Sequence, residues 1–188
     1  MNQSTTEPGD DALIQAARRD RDAFDALYRR YLDQVYRYCY SRMGHRADAE
    51  DLTAQTFVAA LQGLPDYDGR GSFAAWLFGI ARRKCADHYR RRYANPGAPL
   101  EAAYGQSDPA AVEPERRALT RAVLDCVRRA LDALTPDRRE ALRLRFWGGL
   151  KHREVAAVLE RSEGAAKMLV WRAVRDLRER CLDEERVE

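Results

Sequence analysis

Lysine is scarce in this chain of 188 residues: of 33 basic residues only Lys84, Lys151 and Lys167 are lysines. A GC-rich coding sequence produces that bias, and bidentate phosphate contacts favour it too, so alone it decides nothing. Histidines are few, and His45, His88 and His152 stand far apart, with no nucleophile elbow, phosphate loop or metal spacing around them. That scarcity argues against an enzyme, and neither a metal nor a cofactor is expected. Cys39, Cys85, Cys126 and Cys181 are widely scattered and form no ligand spacing. Four ordinary buried thiols in a reduced, cytoplasmic protein are the expectation. No apolar run is long enough to span a bilayer. The opening MNQSTTEPGDD is polar and acidic, unlike a signal peptide, so no membrane insertion is expected. No segment carries a credible strand pattern.

What is present is helical periodicity and segregated charge. The net charge is only +3, but it is unevenly spread. Residues 1–69 carry eight basic and twelve acidic groups, a balance of −4, whereas residues 70–92 carry seven basic groups against Asp87 alone, a balance of +6. Residues 93–115 have no basic residue and contain Pro96, Pro99, Pro109 and Pro114, four of the seven prolines. Residues 116–182 return to +8, with 17 basic and 9 acidic groups. A proline-rich acidic stretch between two basic, periodic segments reads as a flexible linker between domains. The division expected is a disordered start over 1–10, a helical domain over 11–92, a linker over 93–115, a second helical domain over 116–182 and an acidic tail over 183–188. The fold class is all-α: two small helical domains joined by a flexible linker, the second with a helix-turn-helix.

In the first domain a helix opens near Asp10 or Asp11, with Leu13, Ile14, Ala16 and Ala17. A longer one runs from Ala23 to Met43, on the stripe Phe24, Leu27, Tyr28, Tyr31, Leu32, Val35, Tyr38 and Cys39, until Gly44 and His45 break it. The next, Ala47 to Leu64, opens on Asp48, Glu50 and Asp51. These acids suit a helix dipole or serve as a negative docking edge. Neither Glu50 nor Asp51 has a basic partner at i+3 or i+4, so their charge is expected to be available. The loop LPDYDGRGS follows, and Ser72 can cap a helix whose stripe is Phe73, Trp76, Leu77 and Ile80 and whose far half is basic. Lys84 falls on that stripe, so its stem must snorkel. Six net positive charges in 23 residues, beside Trp76, His88 and Tyr89, have the electrostatic footprint of a nucleic-acid surface.

In the second domain a helix from about Arg116 to Ala133 turns Leu119, Val123, Val127, Ala130 and Leu131 inward. Thr135-Pro136 restarts a helix, carried on by Ala141, Leu142, Leu144, Phe146 and Trp147 and ended by Gly148-Gly149. Leu150–Leu177 then holds two amphipathic patterns. The first rests on Val155, Ala156, Val158 and Leu159. The break is Glu160-Arg161-Ser162, with Ser162 as N-cap. In the second, Ala166, Leu169, Val170, Ala173 and Leu177 fall on one side and Lys167, Met168, Trp171, Arg172 and Arg175 on the other. A short helix, a tight turn and a longer helix with a basic, aromatic outer face predict a helix-turn-helix whose second helix enters the major groove.

The ordered set AFDALYRRY, DAEDLTAQTF, GSFAAWLFGIARRKCADHYRRR and LDALTPDRREALRLRFWGGL, followed by the helix-turn-helix, resembles the extracytoplasmic-function sigma factors of the bacterial sigma-seventy family over residues 11–180. The first domain is similar to region 2 and the second to region 4. Four departures from the common pattern stand out: Gln55, where a carboxylate is frequent; Arg83, where asparagine is usual; Lys84, where an apolar residue is usual; and Met168-Leu169, in place of a serine-arginine pair.

The resemblance implies a transcription initiation factor that makes no covalent bond. Its partners would be core RNA polymerase, through the clamp helices and flap of the large subunits, promoter DNA, and an anti-sigma factor. Glu50, Asp51 and Gln55 match the polymerase-docking positions. Asp66, Tyr67, Arg70, Ser72, Trp76, Arg82, Arg83, His88 and Arg91 match the segment that captures the minus-ten element, where a base is flipped out and a single strand followed. Lys151 and Arg153 are expected on phosphate. Lys167, Met168, Trp171, Arg172 and Arg175 are expected at the minus-thirty-five element, with Lys167 and Trp171 specifying, Arg175 mostly contacting phosphate and Arg172 able to do either. The rival is a conventional helix-turn-helix regulator not bound to polymerase core. It would need a ligand pocket or a dimer interface where this chain has a second basic helix.

Overall fold

The computed structural model describes residues 8–93 and 124–182, and among them there is no strand. The chain divides into two compact units, Met1–Ala102 and Ala103–Glu188. Most of the stretches expected as disordered start and linker, all of the acidic tail, and Leu119 and Val123 lie outside the described residues.

The first unit contains α1 (Asp10–Arg19), a 3₁₀ turn (Arg21–Ala23), α2 (Phe24–Met43), α3 (Arg46–Gly63) and α4 (Phe73–Tyr93). Asp10 opens α1, where the helical pattern begins. One oxygen of its carboxylate pairs with Arg30 Nη1 at 2.8 Å and the other accepts from the Tyr31 hydroxyl, which fastens α1 to α2. Gly44 ends α2 in the left-handed conformation (φ 69°) that a side chain disfavours. The core forms where α2, α3 and α4 meet: Leu27, Val35, Tyr38 and Cys39 from α2, Leu52 and Thr56 from α3, and Leu77 and Phe78 from α4 are all fully buried. The α2 stripe follows the sequence pattern, except that Tyr28 is turned partly to solvent. Buried Thr53 and Thr56 satisfy their hydroxyls on the carbonyls of Ala49 and Leu52, each at 2.7 Å. Arg18 Nε donates to the carbonyl of Leu64 at 3.2 Å, near the end of α3, where helix carbonyls lose their own partners.

The second unit contains α5 (helical over residues 124–132), α6 (Pro136–Phe146), α7 (His152–Leu159) and α8 (Glu163–Leu182). Thr135 precedes Pro136 at the first helical position, as the sequence predicts, but makes no side-chain cap. The core gathers Leu134, Leu142 and Ala173, with Leu131, Trp147, Val174 and Leu177 packed against them. Arg138 of α6 reaches Asp176 of α8 at 2.5 Å.

Two features of this unit depart from expectation. Cys126 and Cys181 are not free thiols. They form a disulfide between α5 and the end of α8, with Cα atoms 5.8 Å apart and 55 residues of chain between them. Spacing along the chain carries no sign of this pairing, because only the packing of α8 back onto α5 brings the two together. Cys39 and Cys85 do remain thiols and are buried, their sulfurs 4.0 Å apart. The hydrogen bond from Cys85 holds the Cys39 thiol below its ordinary pKa, against the opposing effect of burial. The second feature is Glu160, which takes the left-handed conformation (φ 54°, ψ 47°) at the end of α7, a place usually held by glycine.

Two measurements follow. Iodoacetamide should label two cysteines in the unfolded, unreduced protein and four after reduction, counted by intact mass; four without reductant would show that the bridge does not form. Glu160→Gly should raise the unfolding free energy of the full chain in urea by about 0.5–1 kcal/mol, since glycine relieves the left-handed strain but costs more unfolded-state entropy.

Candidate nucleic-acid and polymerase interfaces

The turn between α7 and α8 is built from local chemistry. Glu154 accepts from the backbone N–H of Lys151 at 2.7 Å and closes the first turn of α7. After Glu160, the N–H of Arg161 bonds the Ala156 carbonyl at 3.0 Å, and Ser162 Oγ accepts from Ala165 N at 3.2 Å to cap α8. Inward, Val155, Ala156 and Val158 of α7 and Ala166, Val170 and Ala173 of α8 are buried, while Leu159, Leu169 and Leu177 are half-buried. Outward, Lys167, Met168, Trp171, Arg172 and Arg175 are all exposed, as are Lys151 and Arg153. Five sequence-selected residues thus share one solvent-facing surface of α8. Trp171 is 53% exposed, and the guanidinium of Arg175 sits 5.2 Å from the centre of its ring. Arg175 also lies 3.4 Å from Asp176 and 3.3 Å from Glu179. Among the described residues no hydrogen bond or ion pair engages Lys167 or Arg172.

In the first unit the loop before α4 is set from below. Tyr67 is only 5% exposed. Its ring packs on Phe73 and Trp76, with centroids 5.9 and 5.0 Å away, and its hydroxyl donates to the Gly71 carbonyl at 3.2 Å. Burial, with Asp11 and Asp68 nearby, pushes its phenol pKa up, so it stays a donor. Tyr67 therefore supports the loop, with its ring packed inward rather than turned to solvent. Trp76 is half-buried, and a Cβ at Gly63 would stand 3.3 Å from its indole, so the glycine makes room for that ring. Ser72 receives the N–H of Ala75 at 3.4 Å, an N-cap for α4. Gly69 (φ 76°) and Gly71 (φ 83°) flank Arg70 in the left-handed conformation, and Arg70 and Asp66 stand out in solvent. Arg70 is held loosely by Asp68 at 3.4 Å.

Along α4, Arg82, Arg83 and Arg91 are exposed and Lys84 is half-buried. His88 points elsewhere. Its Nε2 is 3.7 Å from Asp48 on α3, where Arg92 (3.2 Å) and His45 (3.8 Å) also converge. The basic end of α4 is thus tied to the first turn of α3. His88 lies within that cluster, its Nε2 buried near the carboxylate without a hydrogen bond among the described residues, a placement hidden in a sequence where the two are 40 residues apart.

On α3, Glu50 and Asp51 are exposed and Gln55 is half-buried. The expectation that both carboxylates are unpaired needs correction. Arg46, one turn earlier at i−4, reaches Glu50 at 2.7 Å, and Gln55 donates to Asp51 at 2.7 Å. Periodicity in the other direction would have found Arg46. An apolar side chain also stands along α3. Val58, one turn beyond Gln55, is exposed, and Tyr28 stacks edge-on to Phe57 at 4.8 Å. The i+3 spacing from Gln55 is the signal for Val58.

No helix among the described residues is long and apolar enough to cross a membrane, and no cluster of three or more His, Cys, Asp or Glu among them is placed to hold a metal. The sequence matches the family models for sigma-70 region 2 over residues 27–94 and sigma-70 region 4 over residues 124–177. It is 42% identical over 183 residues to the ECF RNA polymerase sigma factor BldN of Streptomyces coelicolor, covering 93% of this chain and 66% of BldN. It is 31% identical over 182 residues to the ECF RNA polymerase sigma factor SigK of Mycobacterium ulcerans, covering 91% of each. Among solved structures, CnrH in complex with the cytosolic domain of CnrY superimposes with a TM-score of 0.64 at 28% identity, over 89% of this chain and 94% of CnrH. Two region models in the same order as the two helical units, and relatives matched along nearly the whole chain, agree with the basic helix of one unit and the helix-turn-helix of the other. The chain belongs to the extracytoplasmic-function group of the sigma-70 family of RNA polymerase sigma factors.

Proposed function

We propose that this chain directs core RNA polymerase to promoters through three surfaces. The α3 edge of Glu50, Asp51 and Gln55, widened by Val58, docks on the polymerase clamp helices. The loop around Asp66, Arg70 and Ser72, with Trp76 and the exposed arginines of α4, captures the opened minus-ten strand. The outer face of α8 reads the minus-thirty-five element, while Lys151 and Arg153 hold phosphate. The observation that carries the reading is the outer face of α8. In a helix whose opposite face is buried, basic and aromatic side chains stand in solvent where a major groove would meet them. The rival, a regulator independent of polymerase, is disfavoured by family membership and by a first unit with its own basic helix.

No bond is made or broken by the chain. Its work is electrostatic attraction to phosphate and selective contact with bases. On this reading Tyr67 and His88 support the minus-ten surface from behind, through the aromatic trio and the Asp48 tie. An anti-sigma factor is the partner proposed to silence the chain. The solved complex of CnrH with the cytosolic domain of CnrY supports a protein partner for this chain.

Charge reversal tests the docking edge. Glu50→Lys with Asp51→Lys should abolish co-elution with core polymerase while leaving the circular dichroism spectrum unchanged. Undiminished affinity would remove α3 from the interface. Strand capture is tested by salt. Replacing Arg82, Arg83 and Arg91 together by Ala should lower the salt slope of open-complex formation by about 2, at about 0.7 per phosphate on a single strand. An unaltered slope would take α4 off the DNA path.

A further inference from the structure

We propose that Arg175 is a positioning residue. It holds the Trp171 ring in place for apolar readout, together with Met168, of thymine methyl groups in the upstream element, and does not itself bind phosphate. The inference rests on the reading that the outer face of α8 enters the major groove, and it reassigns the one arginine of that face that spacing alone would give to the DNA backbone.

Three observations carry it. First, the Arg175 guanidinium lies over the indole, 5.2 Å from its centre, where a planar cation stacks on the electron-rich face. Second, its charge is already engaged, with Asp176 at 3.4 Å and Glu179 at 3.3 Å. Asp176 is itself held by Arg138 of α6 at 2.5 Å, so a chain of contacts runs from α6 through Asp176 and Arg175 to the Trp171 ring. Two carboxylates beside a guanidinium repel the phosphate that it would otherwise attract. Lys167 and Arg172, on the same face, have no such engagement among the described residues and are the cations free to meet the backbone. Third, Met168 and Trp171 are one helical turn apart and both exposed, an apolar pair within a basic face.

The chemistry of the pair points to its target. The apolar feature that a major groove offers is the thymine C5-methyl group. An indole left to rotate would lose that freedom on binding. One already stacked under a guanidinium has lost part of it, so less of the contact energy is spent on ordering. Arg175 thus acts on sequence preference through Trp171.

Holoenzyme formed with the full chain, on a promoter selected from an upstream-randomised library, tests this by replacing each upstream thymine with deoxyuridine, which lacks only the methyl. For the wild-type chain, one or two such replacements should weaken promoter binding about fourfold each, the worth of one buried methyl group. Trp171→Ala should abolish the thymine–uracil difference. Arg175→Ala should reduce it below about twofold and leave the salt slope unchanged, whereas Arg172→Ala should lower the slope by about 0.9. Arg175→Lys, which keeps charge without the plane, should follow Arg175→Ala. The proposal is overturned if Arg175→Ala keeps the wild-type thymine–uracil ratio, if its slope falls by about 0.9, or if no thymine methyl matters to the wild-type chain. Wild-type holoenzyme that shows no upstream preference at all would overturn the underlying placement of α8 as well, a result distinct from a preference that ignores Arg175.

Discussion

Everything that the second unit presents depends on how closely α8 can lie against α6 and α7. The inner face of α8 is built on Ala166, Val170 and Ala173, all buried, two of them alanines without exposed surface. Small side chains bring helix axes together, and the interlocking of apolar rows then sets the rotation of α8 about its own axis. Rotation is the property that matters for a reading helix: a shift of one residue, about 100°, would turn Trp171 and Arg172 away from the surface they now share. The Glu160–Ser162 turn sets where the helix begins and the inner alanines set which way it faces. The Arg138–Asp176 pair then adds a polar link at its middle.

The first unit solves a different problem, holding a loop still without burying it. The aromatic trio Tyr67, Phe73 and Trp76 does this from beneath, because rings bury much area with few rotatable bonds. The exposed tip can then be polar and glycine-bent without carrying the stability of the loop. The Asp48 cluster at the other end of α4 works in the same sense. It gathers His45, His88 and Arg92 around one carboxylate and leaves Arg82, Arg83 and Arg91 facing water.

Periodicity was a sound guide wherever one helix explains itself. The inward and outward faces of α8, the stripe of α2, the proline start of α6 and the serine caps of α4 and α8 all follow from residues within a turn or two of one another. What stayed hidden is what joins helices. The Cys126–Cys181 bridge, the His88–Asp48 approach and the Arg138–Asp176 pair each join residues dozens of positions apart, and nothing local distinguishes them from unpaired neighbours. Two misses were local. Glu50 has its partner, Arg46, on its N-terminal side at i−4, where the i+3 and i+4 spacings do not reach. Glu160 occupies a left-handed site where no glycine announces one, the tertiary fit of the turn outweighing a cost of about 1–2 kcal/mol. The outward face of α8 was legible as a set, from helical spacing alone. The separate roles of the sequence-selected residues were not, because Arg175 and Tyr67 differ from their neighbours only in what lies beside them in space.

The bridge at the end of α8 changes how that helix can come apart. An isolated helix frays from its ends, and the last turn exchanges its amide protons with solvent long before the centre does. Cys181 sits in that last stretch and is joined covalently to α5, so the terminal turn cannot swing clear while α5 stays in place. Opening must then take in α5 as well, which turns a local fluctuation into one shared by two helices. For the amides of the final turns of α8 this means slow exchange of a kind more often found in a protein interior, at the very end of the helix proposed to face the groove.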